Sequence, residues 1–182
     1  RQSTDLCYLS QARKRPNLTI QDQSLVHRIL FSGRRAAGVK VERRGNLSEI
    51  YGEKILLCGG AIGSPHTLLL SGVGPAQHLS KMEIPIVHDL PGVGKNLRDH
   101  PQIPVTFRSK ARYQTDGTEP RLQVGLRYTA SGSNLRNDMF IHPGAAATEE
   151  GHYVEGDTKP FGFHIIVALN LALGAGEITL AT

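Results

Sequence analysis

Residues Cys58–Pro75 read "CGGAIGSPHTLLLSGVGP" and follow directly on the apolar run "KILL" at 54–57. Five glycines and two prolines surround one short apolar segment, "TLLL". The run "KILLCGG" does not alternate, so it reads as a strand buried on both faces. Cys58 then reads as a buried free thiol on that strand. Ser64 is a good helix N-cap, and Pro65 suits the first helical position, where its missing N–H costs nothing. "HTLLLS" continues the helix and Gly72 ends it. A loop of small residues after a buried strand marks a place where something approaches the backbone closely.

On the N-terminal side lie the short β-prone segments "NLTI", "LVHRILF", "AAGVKVER" and "SEIYGEKILL". Turn signals such as Ser32-Gly33 and Gly45-Asn46 separate them. "AAGVKVER" alternates and should be half exposed. On the C-terminal side, "PAQHLSKM" reads as a second short helix. "IPIVHDLPGVGKNLRDH" is extended and irregular, broken by Pro85, Pro91, Gly92 and Gly94. From Pro101 the segments "IPVTFRS", "RLQVGLRYTAS", "DMFIHPGA", "FGFHIIVALNLAL" and "GEITLAT" predict a β-rich region. The fold class expected is α/β (α+β), with one unit over residues 1–100 and a second, mainly antiparallel, over 101–182.

The totals narrow the partners. The 182 residues are 39% hydrophobic and 20% charged, an ordinary soluble composition. The net charge of +5, from 21 Lys and Arg against 16 Asp and Glu, is mild and spread out. That favours a solvated face over a nucleic-acid footprint, with Arg34, Arg35, Arg43 and Arg44 the densest basic group. Cys7 and Cys58 show no metal-type spacing, so no metal site is expected. No apolar run approaches the ~20 residues a membrane span needs. No signal-peptide pattern opens the chain. The protein reads as soluble, with the cytoplasm the favoured compartment. The sequons at Asn17 and Asn46 do not establish secretion. The last segment reads as a strand cut short, which suggests an excerpt of a longer chain.

The Gly-x-Gly triplets at 72–74, 92–94 and 174–176 each lack the third glycine of a dinucleotide fingerprint. "GVGKN" lacks the upstream Gly and the Ser/Thr of a P-loop. Each reads as a turn. Asp99-His100 has no third ligand at useful spacing and reads as a polar turn.

Taken together, "GAIGSPHTLLLSGVG" resembles the second signature of the glucose–methanol–choline (GMC) family of flavin-dependent alcohol oxidoreductases. The agreement falls at Gly60, Ser64-Pro65, Leu68-Leu69 and Ser71-Gly72-Val73-Gly74. "RQSTDLCYL…RPNLTI", "AAGVKV" and "HLSKMEIPIVHDLPGVGKNLRDHP" are similar to the family's flanking segments. "NLALGAGEITLAT" departs from the family's Pro-x-Ser-Arg-Gly before the last strand. The resemblance is close over 1–100 and loose over 101–182.

The resemblance implies FAD as cofactor, a small-molecule alcohol as substrate, and hydride transfer to the flavin. It implies that residues 1–100 are part of the FAD domain and 101–182 part of the substrate domain. It implies cofactor contacts at Cys58, Gly59, Gly60 and Ala61, where bare backbone admits a flat ring. It also implies one at Val26, which reads equally as a plain strand valine. No catalytic residue is expected within the chain: the family's pyrophosphate loop would lie upstream of Arg1 and its catalytic His downstream of Thr182. His142, in "FIHPGA", is assigned to the substrate-domain sheet. A β-rich binding module with structural Gly turns is the alternative.

Overall fold

A computed structural model describes residues 3–114, 116–118, 120, 122–152 and 159–181. Its contacts divide the chain into two units, Arg1–Lys95 with Glu177–Thr182, and Asn96–Gly176. Mixed helix and sheet is the observed class.

The first unit opens with a π-helical turn, Asp5–Leu9, running into an α-helical turn, Ser10–Ala12 (α1). No periodicity in the opening residues announced it. "NLTI" forms no strand. Three strands follow as a meander: β1 (Ser24–Ser32), β2 (Arg35–Arg43) and β3 (Asn46–Tyr51), antiparallel in the order β1-β2-β3. The turn after β2 takes Arg44 and Gly45 to positive φ, 52° and 80°, which matches the mirror-image turns that suit twisted hairpins. β1 is an edge strand, and its register against β2 shifts at two places, between Val26 and Arg28 and between Leu30 and Phe31.

The run 53–59 corrects the expectation of a buried strand. It forms no strand, Leu56 is 84% exposed, and Cys58 is exposed rather than buried. A non-alternating strand needs neighbours on both edges and cover on both faces. No described strand pairs with these residues.

Helix α2 spans Gly60–Leu70, so it starts four residues before the expected cap. Gly59 is the N-cap, and Ser64 and Pro65 lie inside the helix. Pro65 has no N–H to give the preceding turn. The glycines at 60 and 63 let that turn wind regardless of side-chain crowding. Gly72 ends α2 as expected, with φ +80° and its N–H on the Leu69 carbonyl at 3.0 Å. A β-carbon there would also collide with the Pro85 carbonyl.

Beyond it, β4 (Val73–Gly74), α3 (Ala76–Lys81) and β5 (His88–Asp89) form a small parallel crossover. The Asp89 carboxylate accepts the Ala76 N–H at 2.9 Å, holding the start of α3 against β5. Leu69, Val73, Leu79 and Val93 make the core, with Phe31, Leu68 and Leu180 packed on it. The apolar face of α2 is therefore buried at Leu69 but leaves Leu70 37% exposed. The described residues of "GEITLAT", 176–181, form no strand. It returns to this unit through Ile178 N–H on the Gly94 carbonyl at 2.8 Å and Leu180 N–H on His78 Nε2 at 3.1 Å.

The second unit is a four-stranded antiparallel sheet in the order β6-β9-β8-β7: β6 (Gln102–Arg108), β7 (Leu126–Tyr128), β8 (Met139–Ala147) and β9 (Gly162–Leu169). Among the described residues of "RLQVGLRYTAS", only Leu126–Tyr128 form a strand, and Leu122 makes an isolated bridge to Gly144. β9 alternates cleanly, with Gly162, His164, Ile166 and Ala168 buried on one face. The other face shows Phe163 at 42% exposure, its ring stacked on Phe107 at 5.1 Å. His142 lies in β8, as expected, opposite Ile166.

Candidate functional site

The start of α2 is the candidate. Cys58, Gly59, Gly60 and Ala61 are all exposed. No side chain caps the helix, and its first turn carries no acid. The first N–H groups of a helix have no partner within it, and they sit at the positive end of the dipole. An anion or an electron-rich ring edge placed there is stabilised without a charged side chain.

The glycines have different reasons to be there. A β-carbon at Gly59 would press on Gly63 C and Ser64 N, both at 3.0 Å, so Gly59 serves the turn itself. Gly60 adopts φ +75°, which disfavours any other residue, yet a β-carbon there would touch nothing within 4 Å. Gly63 has no such φ, and the space beside it is equally open. The backbone over Gly60–Gly63 therefore faces free volume rather than protein. A flat cofactor fits that surface, and so does the uncapped helix end.

Val26 sits on β1, 39% exposed, at the edge of the register shift. It shares a unit with 58–61. The link between their two elements lies elsewhere: the Ile29 N–H donates to Ser71 Oγ at 2.8 Å, joining β1 to the end of α2. Two cavities, of about 390 and 320 Å³, border that contact. Leu70 and Ser71 line the first, and Ile55, Leu57 and Leu68 the second. Neither includes Val26 or residues 58–61. In the sequence Ser71 stands only as part of the Ser-Gly-Val-Gly motif. Nothing in the sequence shows that its hydroxyl reaches a strand 42 positions away.

Among the described residues, none with a carboxylate or imidazole lies in 58–61. His66 on α2 is exposed. Among the described residues, no group of three His, Cys, Asp or Glu could hold a metal ion. One histidine of the other unit, His164, is buried and shifted. Burial first, then the charge of His142, pushes His164 below its ordinary range, against a Gly151 carbonyl that raises it. The arrangement at α2 can bind and orient.

Residues 1–102 match the family model described as GMC oxidoreductase. This chain belongs to the GMC oxidoreductase family. The GMC chain is 46% identical over 111 residues to an oxygen-dependent choline dehydrogenase of Chromohalobacter salexigens, covering 60% of this chain and 20% of that protein. It is 52% identical over 103 residues to one from Pseudomonas savastanoi, covering 55% and 18%. It thus spans about a fifth of the length of these curated relatives. Among solved structures it superposes on a formate oxidase of Aspergillus oryzae with a TM-score of 0.78 at 20% identity, over 93% of this chain and 38% of that one. The fold likeness therefore runs through both units, beyond the stretch the family model matches. No helix among the described residues is long and apolar enough to cross a membrane.

Proposed function

We propose that the parent protein is an FAD-dependent oxidoreductase acting on the CH–OH group of a small alcohol. FAD, when bound, supplies the hydride acceptor for the alcohol carbon. The observation that carries this reading is the start of α2: bare, uncapped and acid-free, at the GMC signature. In this reading the backbone of Cys58–Ala61 lies against the cofactor and the Val26 backbone holds its adenine end. Residues 1–100 contribute to the FAD domain and 101–182 to the substrate domain. The group that takes the hydroxyl proton comes from the parent protein outside these residues.

Two features support the excerpt reading. Leu56 is 84% exposed in a run whose composition suits a doubly covered strand. Ile103 and Phe107 leave one face of the second sheet apolar and open, at 69% and 41%. Apolar surface of this kind is stabilised when further chain covers it. Choline is the first alcohol to test, because the relatives above are choline dehydrogenases by name.

The full-length protein, purified without added cofactor, should show the two visible flavin absorbance bands and lose them on anaerobic addition of its alcohol. A full-length protein that carries no flavin, and takes up none from solution, overturns the proposal.

A further inference from the structure

We infer that Ser71 is the positioning residue for the proposed cofactor site, fixing α2 against β1 from the end opposite to the one that meets FAD. This rests on the FAD reading above.

The geometry is specific. Ser71 is 7% exposed. Its hydroxyl accepts the Ile29 N–H at 2.8 Å and donates to the Thr67 carbonyl at 2.5 Å. The single O–H is thereby committed to α2 and a lone pair to β1, so one side chain bridges both elements. β1 is the edge strand of its sheet, and Ile29, itself 7% exposed, turns its N–H away from β2. A buried N–H at a sheet edge needs a partner. Here Ser71 provides it.

Beside this contact, Leu68 of α2 and Phe31 of β1 both pack on the Leu69 core, and two cavities border the junction. The N-terminal half of α2 offers less: it has glycines at 60 and 63, Pro65 donates no hydrogen bond, and none of its residues is fully buried. Of the whole helix only Leu69 is buried. The helix is anchored at its last turn, through Leu69 and Ser71, and its first turn goes where that anchor points it. Gly60 and Ser71 are separated by 11 positions, about 16 Å at 1.5 Å per residue. A small rotation at the anchor becomes a displacement of ångström size at the first turn. Val26 lies three residues from Ile29 on the same strand, so the Ser71 bridge ties both proposed cofactor contacts to one point.

The test uses the full-length protein with Ser71→Ala and Ser71→Thr. FAD affinity is measured by flavin fluorescence quenching, and deuterium exchange at the Ile29 amide is followed in the apo-protein. Ser71→Ala should weaken FAD binding at least tenfold and expose the Ile29 amide to exchange. Ser71→Thr, which keeps the hydroxyl, should restore affinity to within about threefold. Should Ser71→Ala not fold, Ser71→Cys, a weaker hydrogen-bonding partner of similar size, should give an intermediate loss of affinity. If the variants lower the melting temperature but bind FAD as the wild type does, Ser71 is merely structural and the inference fails while the FAD reading stands. If the wild type itself binds no FAD, both fail.

Discussion

His164 Nδ1 lies 2.8 Å from the Gly151 carbonyl oxygen, on a side chain with no exposed surface. The ring sits on the buried face of β9, opposite Gly144 on one side and Thr106 on the other. The carbonyl can only accept, so Nδ1–H donates to Gly151. Burial depresses the ring's affinity for a proton below the ordinary value of 6.5. Because the folded value is the lower one, the unfolded chain binds the proton more readily. Stability is therefore complete above pH 6.5 and declines as pH falls below it toward the folded value. The expected outcome is a melting temperature for the full-length protein that drops with acidification below 6.5. His164→Gln should flatten that slope. An unchanged slope in the variant would assign the acid sensitivity to other groups.

Gly63→Ala should stabilise the apo-protein by about 1 kcal/mol, the helix-propensity difference between the two residues. The position has no positive φ, and an added β-carbon meets nothing within 4 Å. Thermal unfolding of the cofactor-free variant checks this. If FAD affinity falls while apo stability rises, the added methyl is meeting the cofactor.

Gly60→Ala should behave in the opposite way toward stability. Its φ of +75° costs an ordinary residue about 1–2 kcal/mol even in open space. Apo-protein melting should reveal the loss without any ligand present. A Gly60→Ala apo-protein as stable as wild type would show that the turn relaxes, and would remove the strain argument for that glycine.

Leu69→Ala should cost about 2–5 kcal/mol, the range for a buried leucine whose site collapses poorly. Leu69 has no exposed surface and packs with Val73 and Leu79. Its Cδ2 would lie 2.5 Å from a β-carbon on Gly74, so the leucine already fills the space that glycine leaves. Denaturant unfolding of the variant measures the loss. A change under about 1 kcal/mol would mean that the core of the first unit closes over the gap.

Local patterning predicted the hairpin strands β1 and β2, the helix stop at Gly72, helix α3, and β6, β8 and β9. Each depends on contacts between residues close in sequence or on a period that shows in the sequence. The helix start was misplaced by five residues because Ser64-Pro65 is a strong local start signal, yet the chain already winds at Gly60, where positive φ and missing side chains allow it. The strand expected over 54–58 failed for a different reason. Its composition records burial by neighbours that no described element supplies.

The sequence by itself determined the family: the small residues, Ser-Pro, paired leucines and Ser-Gly-Val-Gly of the segment 60–74 sit at offsets that composition alone would not produce. It also determined the alternation that gives β9 one buried face, because strand period is a local property. Only the tertiary structure decided which partner each polar group found. Ser71 meets Ile29 across 42 positions, His164 meets Gly151 across 13, and Leu180 comes back to His78 across 102 positions. A hydrogen bond is fixed by distance and direction in space to within a few tenths of an ångström, and the sequence separation of its partners carries no information about either.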